Sequence, residues 1–299
     1  MDEAIEALNI KSNGIYVDGT LGGCGHAKKI LSKLSCKGLL IGIDQDACAI
    51  ENAKKTIGSA SNVVLIHNNF VNIDNILKEQ DINAIDGFII DIGLSSHQID
   101  TASRGFSYIN HGPLDMRMDR TKGHSAYDVV NGYDEKELCY ILKNYGEERF
   151  AKNIVKNIIK ERQNKPITTT TQLSEIIKKS MPRPKDGSNP AKRTFQAIRI
   201  EVNNEINILG KTILSVVQNL NTNGRIAVIT FHSLEDRAIK NIFNELKNCC
   251  SCPREFPMCI CNKKPIIKHI TKKVIIPTDN ELAINPRAKS AKLRVVEKL

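Results

Sequence analysis

The most informative stretch of this chain is Val17–His26, which has the sequence VDGTLGGCGH. An apolar run ends in Asp18, four glycines follow within seven residues, and Ala27–Leu31 then has helical character. This order predicts a strand, a tight turn and the N-terminus of a helix. Glycines allow positive φ and let a ligand lie against the backbone, while the helix N-terminus offers free N–H groups to an anionic group.

A second apolar run, Leu39–Ile43, ends in Asp44, nineteen residues after Gly25. An acid at the tip of the second strand of a βαβ unit is placed to bind ribose hydroxyls. The first third of the chain therefore predicts a site for a nucleoside-containing cofactor. A glycine-rich turn without a ligand is the alternative interpretation.

The residues around the glycines bear on which cofactor is bound. A dinucleotide pattern that starts at Gly23 requires a small residue at position 28, where this chain has Lys28. Asp18 would repel a pyrophosphate, whereas it suits a cationic amino group such as that of S-adenosylmethionine. A nicotinamide-dependent oxidoreductase is disfavoured for both reasons.

Residues 15–103 alternate strand-like and helical runs, which predicts a parallel sheet with its ligands at the carboxyl ends of the strands. The predicted strands are Ile15–Asp18, Leu39–Asp44, Asn62–His67 and Gly87–Asp91. From residue 104 the pattern becomes helical, and strand character returns at Gly224–Phe231. We expect a discontinuous α/β domain of residues 1–103 and 208–299, interrupted by a helical insertion of residues 104–207.

The charge of the chain is unevenly distributed. Residues 1–103 carry a net charge of −5 and residues 104–299 carry +15, within a total of +10. This asymmetry indicates a polyanionic partner, with nucleic acid favoured over idle solvated lysines. The acidic N-terminus lacks the features of a signal peptide, and no apolar run approaches the ~20 residues of a membrane span, so we expect a cytoplasmic protein without a membrane partner.

The chain has nine cysteines with uneven spacing, which is typical of reduced thiols. Cys250 and Cys252 form one closely spaced pair, and Cys259 and Cys261 form a second. Structural zinc sites use C-x2-C more often than this C-x-C spacing, and no histidine lies between the pairs. Four reduced thiols are the favoured interpretation, and we assign no metal.

The loop after the fourth predicted strand, Asp91–Asp100, is polar and carries hydrogen-bond acceptors. If the protein is a methyltransferase, this loop lies where the methyl group meets the nucleophile. Asp91, Ser95 and Ser96 are suited to an exocyclic amino group, whose methylation requires positioning more than a strong base. A strand-end turn capped by Asp and Ser is an equally good interpretation. His232 follows a strand at the same edge, where it either touches substrate or caps a helix.

With these motifs in view, the chain resembles the bacterial small-subunit ribosomal RNA cytosine-N4 methyltransferases of the MraW type. The resemblance spans nearly the whole chain. The matching blocks are Asp18–His26, Ile43–Asp44, His67–Phe70, Asp91–Asp100, Ser103–Ser107, Gly112–Met118, Tyr145–Arg149, Arg193–Asn204, Phe231–Arg237 and Asn285–Arg294.

The resemblance implies a class I, Rossmann-like methyltransferase fold with an inserted all-helical substrate-recognition domain. It implies S-adenosylmethionine as donor and direct transfer to N4 of a cytosine in the decoding region of 16S rRNA, within the small ribosomal subunit. No obligate protein partner is expected. By position, the cofactor-binding residues are Cys24, Gly25, His26, Asp44, Phe70, Asp91 and Gln98.

Two questions stay open at this point. Asp91 is placed for either the cofactor or the acceptor, and no catalytic residue is assigned. A noncatalytic RNA-binding or ribosome-assembly factor with a vestigial cofactor fold is the alternative function, which the intact Asp18, Gly25, Asp44 and Asp91 disfavour.

Overall fold

The computed structural model describes residues 1–184, 187–248, 252, 261, 263–271 and 273–299. The chain divides into two compact units. The first unit contains residues 1–93 and 206–299, and the second contains residues 94–205. None of the helices among the described residues combines the length and the apolar character that a membrane span requires.

The described part of the first unit forms one sheet of seven strands. The strands are β1 (Ile15–Asp18), β2 (Leu39–Asp44), β3 (Val63–His67), β4 (Ile85–Asp91), β5 (Leu220–Thr230), β6 (Ile267–His269) and β7 (Lys292–Lys298). Their order is β3-β2-β1-β4-β5-β7-β6. Strands β1 to β5 pair in parallel, while β7 is antiparallel to both of its neighbours.

This arrangement is a Rossmann-like α/β fold of the class I methyltransferase type. The strand order reverses between β1 and β4, and such a switch point opens a ligand crevice at the carboxyl ends of the strands. In the register, Asp18 lies opposite Gly42 on one side and Ile89 on the other. The ends of β1, β2 and β4 are therefore neighbours.

Thirteen helices are described. They are α1 (Asp2–Ala7), α2 (Gly25–Leu31), α3 (Ala47–Ile57), α4 (Ile73–Glu79), α5 (Ser96–Asp100), α6 (Ala126–Gly132), α7 (Glu135–Asn144), α8 (Ala151–Asn164), α9 (Thr170–Ser180), α10 (Lys192–Asn203), α11 (Asn207–Gln218), α12 (Ser233–Lys247) and α13 (Asp279–Ile284). Short 3-10 helices cover Phe70–Asn72, Ala102–Arg104 and Pro286–Ser290.

The sheet is buried on both faces, as parallel sheets are. Val17 and Ile41 belong to one apolar cluster, and their chain neighbours Tyr16 and Leu40 belong to a second. Successive residues of a strand point to opposite faces, so a continuous apolar run fills both cores. This explains why the strands of the first unit are visible in the sequence as uninterrupted apolar stretches.

The second unit, residues 94–205, is helical and has an apolar core of its own. Capping boxes begin several of its helices, including Asp134 with Glu137 at α7 and Thr169 with Gln172 at α9. The sequence placed the start of the insertion at residue 104. The second unit of the structure spans residues 94–205, and the Leu94 side chain packs against its apolar core. The domain boundaries at 104 and 207 stay a prediction.

Candidate cofactor site

The glycine-rich turn between β1 and α2 adopts the left-handed backbone that its sequence predicts. Gly22 has φ of 45° and Cys24 has φ of 63°, and Cys24 is the N-cap of α2. The Cys24 side chain is fully buried in the apolar core of the first unit. At Gly23 an added Cβ would meet nothing within 4 Å, so the backbone of the turn is open at this point.

Two other glycines let the turn lie close to the sheet. A Cβ at Gly19 would fall 2.6 Å from Cγ2 of Ile90, and one at Gly42 would fall 2.6 Å from Cδ2 of Leu21. Both distances are shorter than van der Waals contact. Side chains at these positions would push the turn away from β2 and β4.

Asp44, at the end of β2, fastens the turn to the second strand. Its Oδ2 accepts a hydrogen bond from the Gly22 amide at 2.9 Å, and its Oδ1 accepts one from the Asp46 amide at 2.8 Å. Burial raises the pKa of Asp44 to about 6, although these two bonds oppose the rise. Each carboxylate oxygen has a second lone pair for a ligand hydroxyl.

Asp91, at the end of β4, is tied to the turn through its backbone. Its amide donates a hydrogen bond of 2.7 Å to Oγ1 of Thr20. Its side-chain Oδ1 is buried and has no hydrogen-bond partner among the described residues. Burial raises the pKa of Asp91 to about 7, and the nearby Glu235 carboxylate adds to the rise. A buried acceptor without a partner is rare in proteins and marks a place for a ligand.

Asp18 is a third acidic residue at the carboxyl ends of the strands. The set of cofactor-binding residues implied by the family resemblance did not include it. Its Oδ1 accepts a hydrogen bond from the Thr20 amide at 3.1 Å, whereas its Oδ2 is buried without a partner among the described residues. Burial raises its pKa well above the ordinary value, and the charges of Asp44 and Asp91 contribute. The signal was present in the sequence as an acid directly before the glycines.

The three carboxyl groups lie at the ends of adjacent strands, and electrostatic coupling between them raises the pKa of Asp18. Such a group of buried acids is unfavourable when all of them are ionised and no cation is near. A cationic ligand removes this penalty. The chemistry of the edge therefore favours a positively charged ligand over a pyrophosphate.

Two more predicted residues lie in the same unit. His26, in the first turn of α2, has its pKa lowered to about 4 because of burial, so it adds no positive charge at neutral pH. Phe70 follows β3 and is buried, with its Cβ 3.3 Å from the point where a Gly19 side chain would begin. Gly25 is the first residue of α2.

Gln98 lies in the second unit, on α5, and is buried. Its side-chain Oε1 accepts a hydrogen bond from the backbone amide of Ser95 at 3.0 Å, and its backbone amide donates one to Oγ of Ser95 at 3.2 Å. These bonds form a capping box. Contact between Gln98 and the cofactor stays a prediction.

His232 is the N-cap of α12, just beyond β5. Its Nδ1 accepts a hydrogen bond from the Glu235 amide at 3.3 Å, and its Nε2 lies 2.8 Å from Oε1 of the fully buried Glu235. The Glu235 carboxylate in turn accepts the amide of Phe231 at 2.7 Å. Of the two interpretations of His232, this geometry supports helix capping.

Comparison with known proteins places the chain in a family, since residues 1–299 match the MraW methylase family along their whole length. The chain belongs to the MraW methylase family. A Ribosomal RNA small subunit methyltransferase H of Clostridium botulinum (strain Kyoto / Type A2) is 56% identical over 301 residues, which cover 100% of this chain and 97% of the relative. The protein of the same name from Clostridioides difficile (strain 630) is 53% identical over 302 residues, with the same coverage.

Among solved structures, an rRNA methylase from Streptococcus thermophilus is 11% identical, with a TM-score of 0.44. The alignment covers 100% of this chain and 93% of that chain. A similarity at this level has no bearing on function.

Two basic residues of β7 in this MraW methylase, Lys292 and Arg294, form ion pairs within the first unit. Arg294 donates two hydrogen bonds to Asp236, at 2.7 and 3.2 Å, and Lys292 lies 3.3 Å from the same carboxylate. These residues stabilise the contact between β7 and α12, so their charges are partly neutralised. Of the four closely spaced cysteines, Cys250 and Cys259 lie outside the described residues.

Proposed function

We propose that this protein methylates N4 of a cytosine in 16S rRNA, with S-adenosylmethionine as donor and the small ribosomal subunit as the setting. The observation that carries the proposal is the cluster of Asp18, Asp44 and Asp91 beside an open glycine turn. Membership of a methylase family and relatives named as small-subunit rRNA methyltransferases support it.

The residues at the edge of the sheet fit this cofactor. Among the described residues, Oδ2 of Asp18 and Oδ1 of Asp91 are buried acceptors without a hydrogen-bond partner, and the cofactor has an ammonium group and ribose hydroxyls that can donate to them. The residues that would hold it are those of the predicted set, Cys24, Gly25, His26, Asp44, Phe70, Asp91 and Gln98, together with Asp18. When bound, S-adenosylmethionine supplies a methyl group on a positively charged sulfur, which is a good leaving group.

The protein's own part in the reaction is positioning. The amino lone pair of cytosine is conjugated with the ring, so attack on a methyl group requires alignment rather than a strong base. Alignment of this kind supplies several kcal/mol, on the order of the effect of preorganised reactants. The backbone bond from Asp91 to Thr20 fixes the end of β4 against the turn, and so fixes the place of the Asp91 carboxyl group.

The methylated nitrogen must finally lose a proton. The Asp91 carboxylate, at the end of β4, is one acceptor for this proton. Water is the competing acceptor, because the protonated amino product is a strong acid. Nothing in this sequence of events requires a thiol nucleophile.

The test is methyl transfer to small ribosomal subunits that lack the modification. The purified protein, labelled S-adenosylmethionine and these subunits are incubated together, and the digested rRNA is analysed by mass spectrometry. We expect label in N4-methylcytidine. Label at ring carbon 5, or at a ribose hydroxyl, would contradict the proposal.

A second measurement addresses the alternative of a noncatalytic RNA-binding factor. Calorimetry compares the binding of S-adenosylmethionine and of NAD to the same protein. We expect S-adenosylmethionine to bind and NAD not to bind. Binding of S-adenosylmethionine without transfer to any ribosomal substrate would favour the noncatalytic alternative.

A further inference from the structure

Tyr140 is an exposed aromatic residue of the second unit, and a second aromatic ring packs against it. Tyr140 lies on α7 and is 59% exposed. The ring of the half-buried Tyr145 stands nearly perpendicular to it, at 80° and with 6.2 Å between centroids. The carbonyl of Tyr145 accepts a hydrogen bond from Nε2 of Gln196 on α10, which anchors this supporting residue. Tyr140 therefore has an aromatic neighbour and exposes more than half of its surface.

Two lysines flank this ring on α7. Lys136 and Lys143 lie one turn before and one turn after Tyr140 on the same face of α7, and both are exposed. Lys152 lies on α8, which packs against α7, and its charge and that of Lys143 oppose the burial that raises the pKa of the Cys139 thiol. Within the described part of the chain, none of the three lysines forms an ion pair.

Three acidic residues, Asp134, Glu135 and Glu137, lie at the start of α7. The Glu137 carboxylate is committed to the helix cap, where its Oε2 accepts a hydrogen bond from the Asp134 amide at 2.8 Å. The charge of Glu135, in the first turn of α7, raises the pKa of the Cys139 thiol, whereas the charges of Lys143 and Lys152 lower it. The neighbours of Tyr140 on the helix face are Lys136, Glu137, Lys143 and Asn144, so two cations and one anion adjoin the ring. This local excess of positive charge favours a negatively charged partner.

We propose that Lys136, Tyr140, Lys143 and Tyr145 form a base-stacking platform, on which an unpaired base of the substrate RNA lies on Tyr140 while the lysines contact the flanking phosphates. This inference rests on the proposed function for the identity of the nucleic acid. Single-stranded RNA is bound in this manner, because every base has a π-face and each phosphate carries a charge.

Another exposed aromatic of the second unit offers a matched comparison. Tyr127 on α6 is 39% exposed. Its neighbours on the face of α6 are Val130 and Asn131, and neither of them is a lysine. Tyr127 therefore shares the ring and the surface position with Tyr140 but lacks the cations.

The chain has no tryptophan, which allows a direct test of stacking. Tyr140→Trp places a single indole on the platform, and Tyr127→Trp places one on the control site. A single-stranded cytidine-containing RNA of twelve nucleotides is titrated into each variant. We expect strong quenching of the emission of Tyr140→Trp and little change for Tyr127→Trp. An abasic oligonucleotide of equal length and charge should quench neither.

Affinity measurements complete the test with the full chain. Tyr140→Ala should weaken binding of the RNA by about tenfold, whereas Tyr140→Phe and Tyr127→Ala should leave it unchanged, because stacking requires the ring and not the hydroxyl. The double variant Lys136→Ala/Lys143→Ala should flatten the dependence of log affinity on log salt by about 1.4, or about 0.7 for each phosphate contact. Melting temperature and affinity for S-adenosylmethionine should stay at wild-type values in all of these variants.

Equal quenching of both tryptophans, equal quenching by the abasic oligonucleotide, or wild-type RNA affinity of Tyr140→Ala would overturn the platform. A change of oligomeric state in Tyr140→Ala would identify the surface as a contact between copies and would also overturn it. Failure of the proposed function is seen separately, as wild-type protein that transfers no methyl group although Tyr140→Trp is quenched by RNA.

Discussion

Replacement of Asp91 by asparagine removes a charge that the folded state accommodates poorly. Burial and the Glu235 carboxylate raise the pKa of Asp91 from 3.8 to about 7. Below pH 4 the group is protonated in both the folded and the unfolded state. Between pH 4 and pH 7 only the unfolded chain releases the proton, so the free energy of unfolding falls as the pH rises. At about 1.4 kcal/mol for each pH unit, the total loss by pH 7 is up to about 4 kcal/mol.

Asparagine has the same shape and does not titrate, so Asp91→Asn should escape this loss. We expect its stability advantage over wild type to grow by about 2–3 kcal/mol between pH 5 and pH 8 in the absence of cofactor. Urea unfolding at several pH values, followed by circular dichroism, measures this difference. Asp81→Asn is the matched control, because Asp81 is exposed in the same unit and its positive φ of 54° suits asparagine equally well.

Parallel stability profiles of wild type and Asp91→Asn from pH 5 to pH 8 would refute the reasoning. The same outcome would mean that water or a rearranged neighbour solvates the carboxylate in the folded state. Added S-adenosylmethionine should reverse the order of stability at pH 8, since the ionised Asp91 then has a cationic ligand. Methyl transfer by Asp91→Asn should be strongly reduced.

Three further outcomes are expected. Calorimetry should show that affinity for S-adenosylmethionine rises from pH 5.5 to pH 7.5, because Asp44 and Asp91 ionise over this range and the ligand is a cation. Asp44→Ala should weaken the binding free energy by about 1.5–3 kcal/mol. An affinity that does not change with pH would contradict the acidic site. Gly42→Ala should lower the free energy of unfolding by about 1–3 kcal/mol, because the added Cβ meets Leu21. Gly23→Ala should leave the free energy of unfolding unchanged and weaken the binding of the cofactor. Thermal melts measure the first effect and calorimetry measures the second. Cys24→Ser should retain single-turnover methyl transfer, and an inactive variant that still folds and binds cofactor would argue against direct transfer.

The elements of the first unit differ in how well the sequence predicts them. The helix predicted from Ala27 begins at Gly25, and the strand predicted as Gly87–Asp91 begins at Ile85. Apolar runs that are buried on both faces of a parallel sheet produce a strong local signal. The short strands β6 and β7 were not predicted, because the pairing of Lys292–Lys298 with β5 joins segments far apart in the chain.

The candidate site shows the same division. The sequence by itself determined that acids follow apolar strands and that glycines precede a helix, because spacing along the chain fixes which residues end a strand and which open a turn. Only the tertiary structure decided that Asp18, Asp44 and Asp91 lie at adjacent strand ends and that two of their oxygens have no hydrogen-bond partner among the described residues. It also decided that Lys292 and Arg294 pair with Asp236. Burial and electrostatic coupling depend on neighbours brought together by the sheet, and these neighbours are not neighbours in sequence.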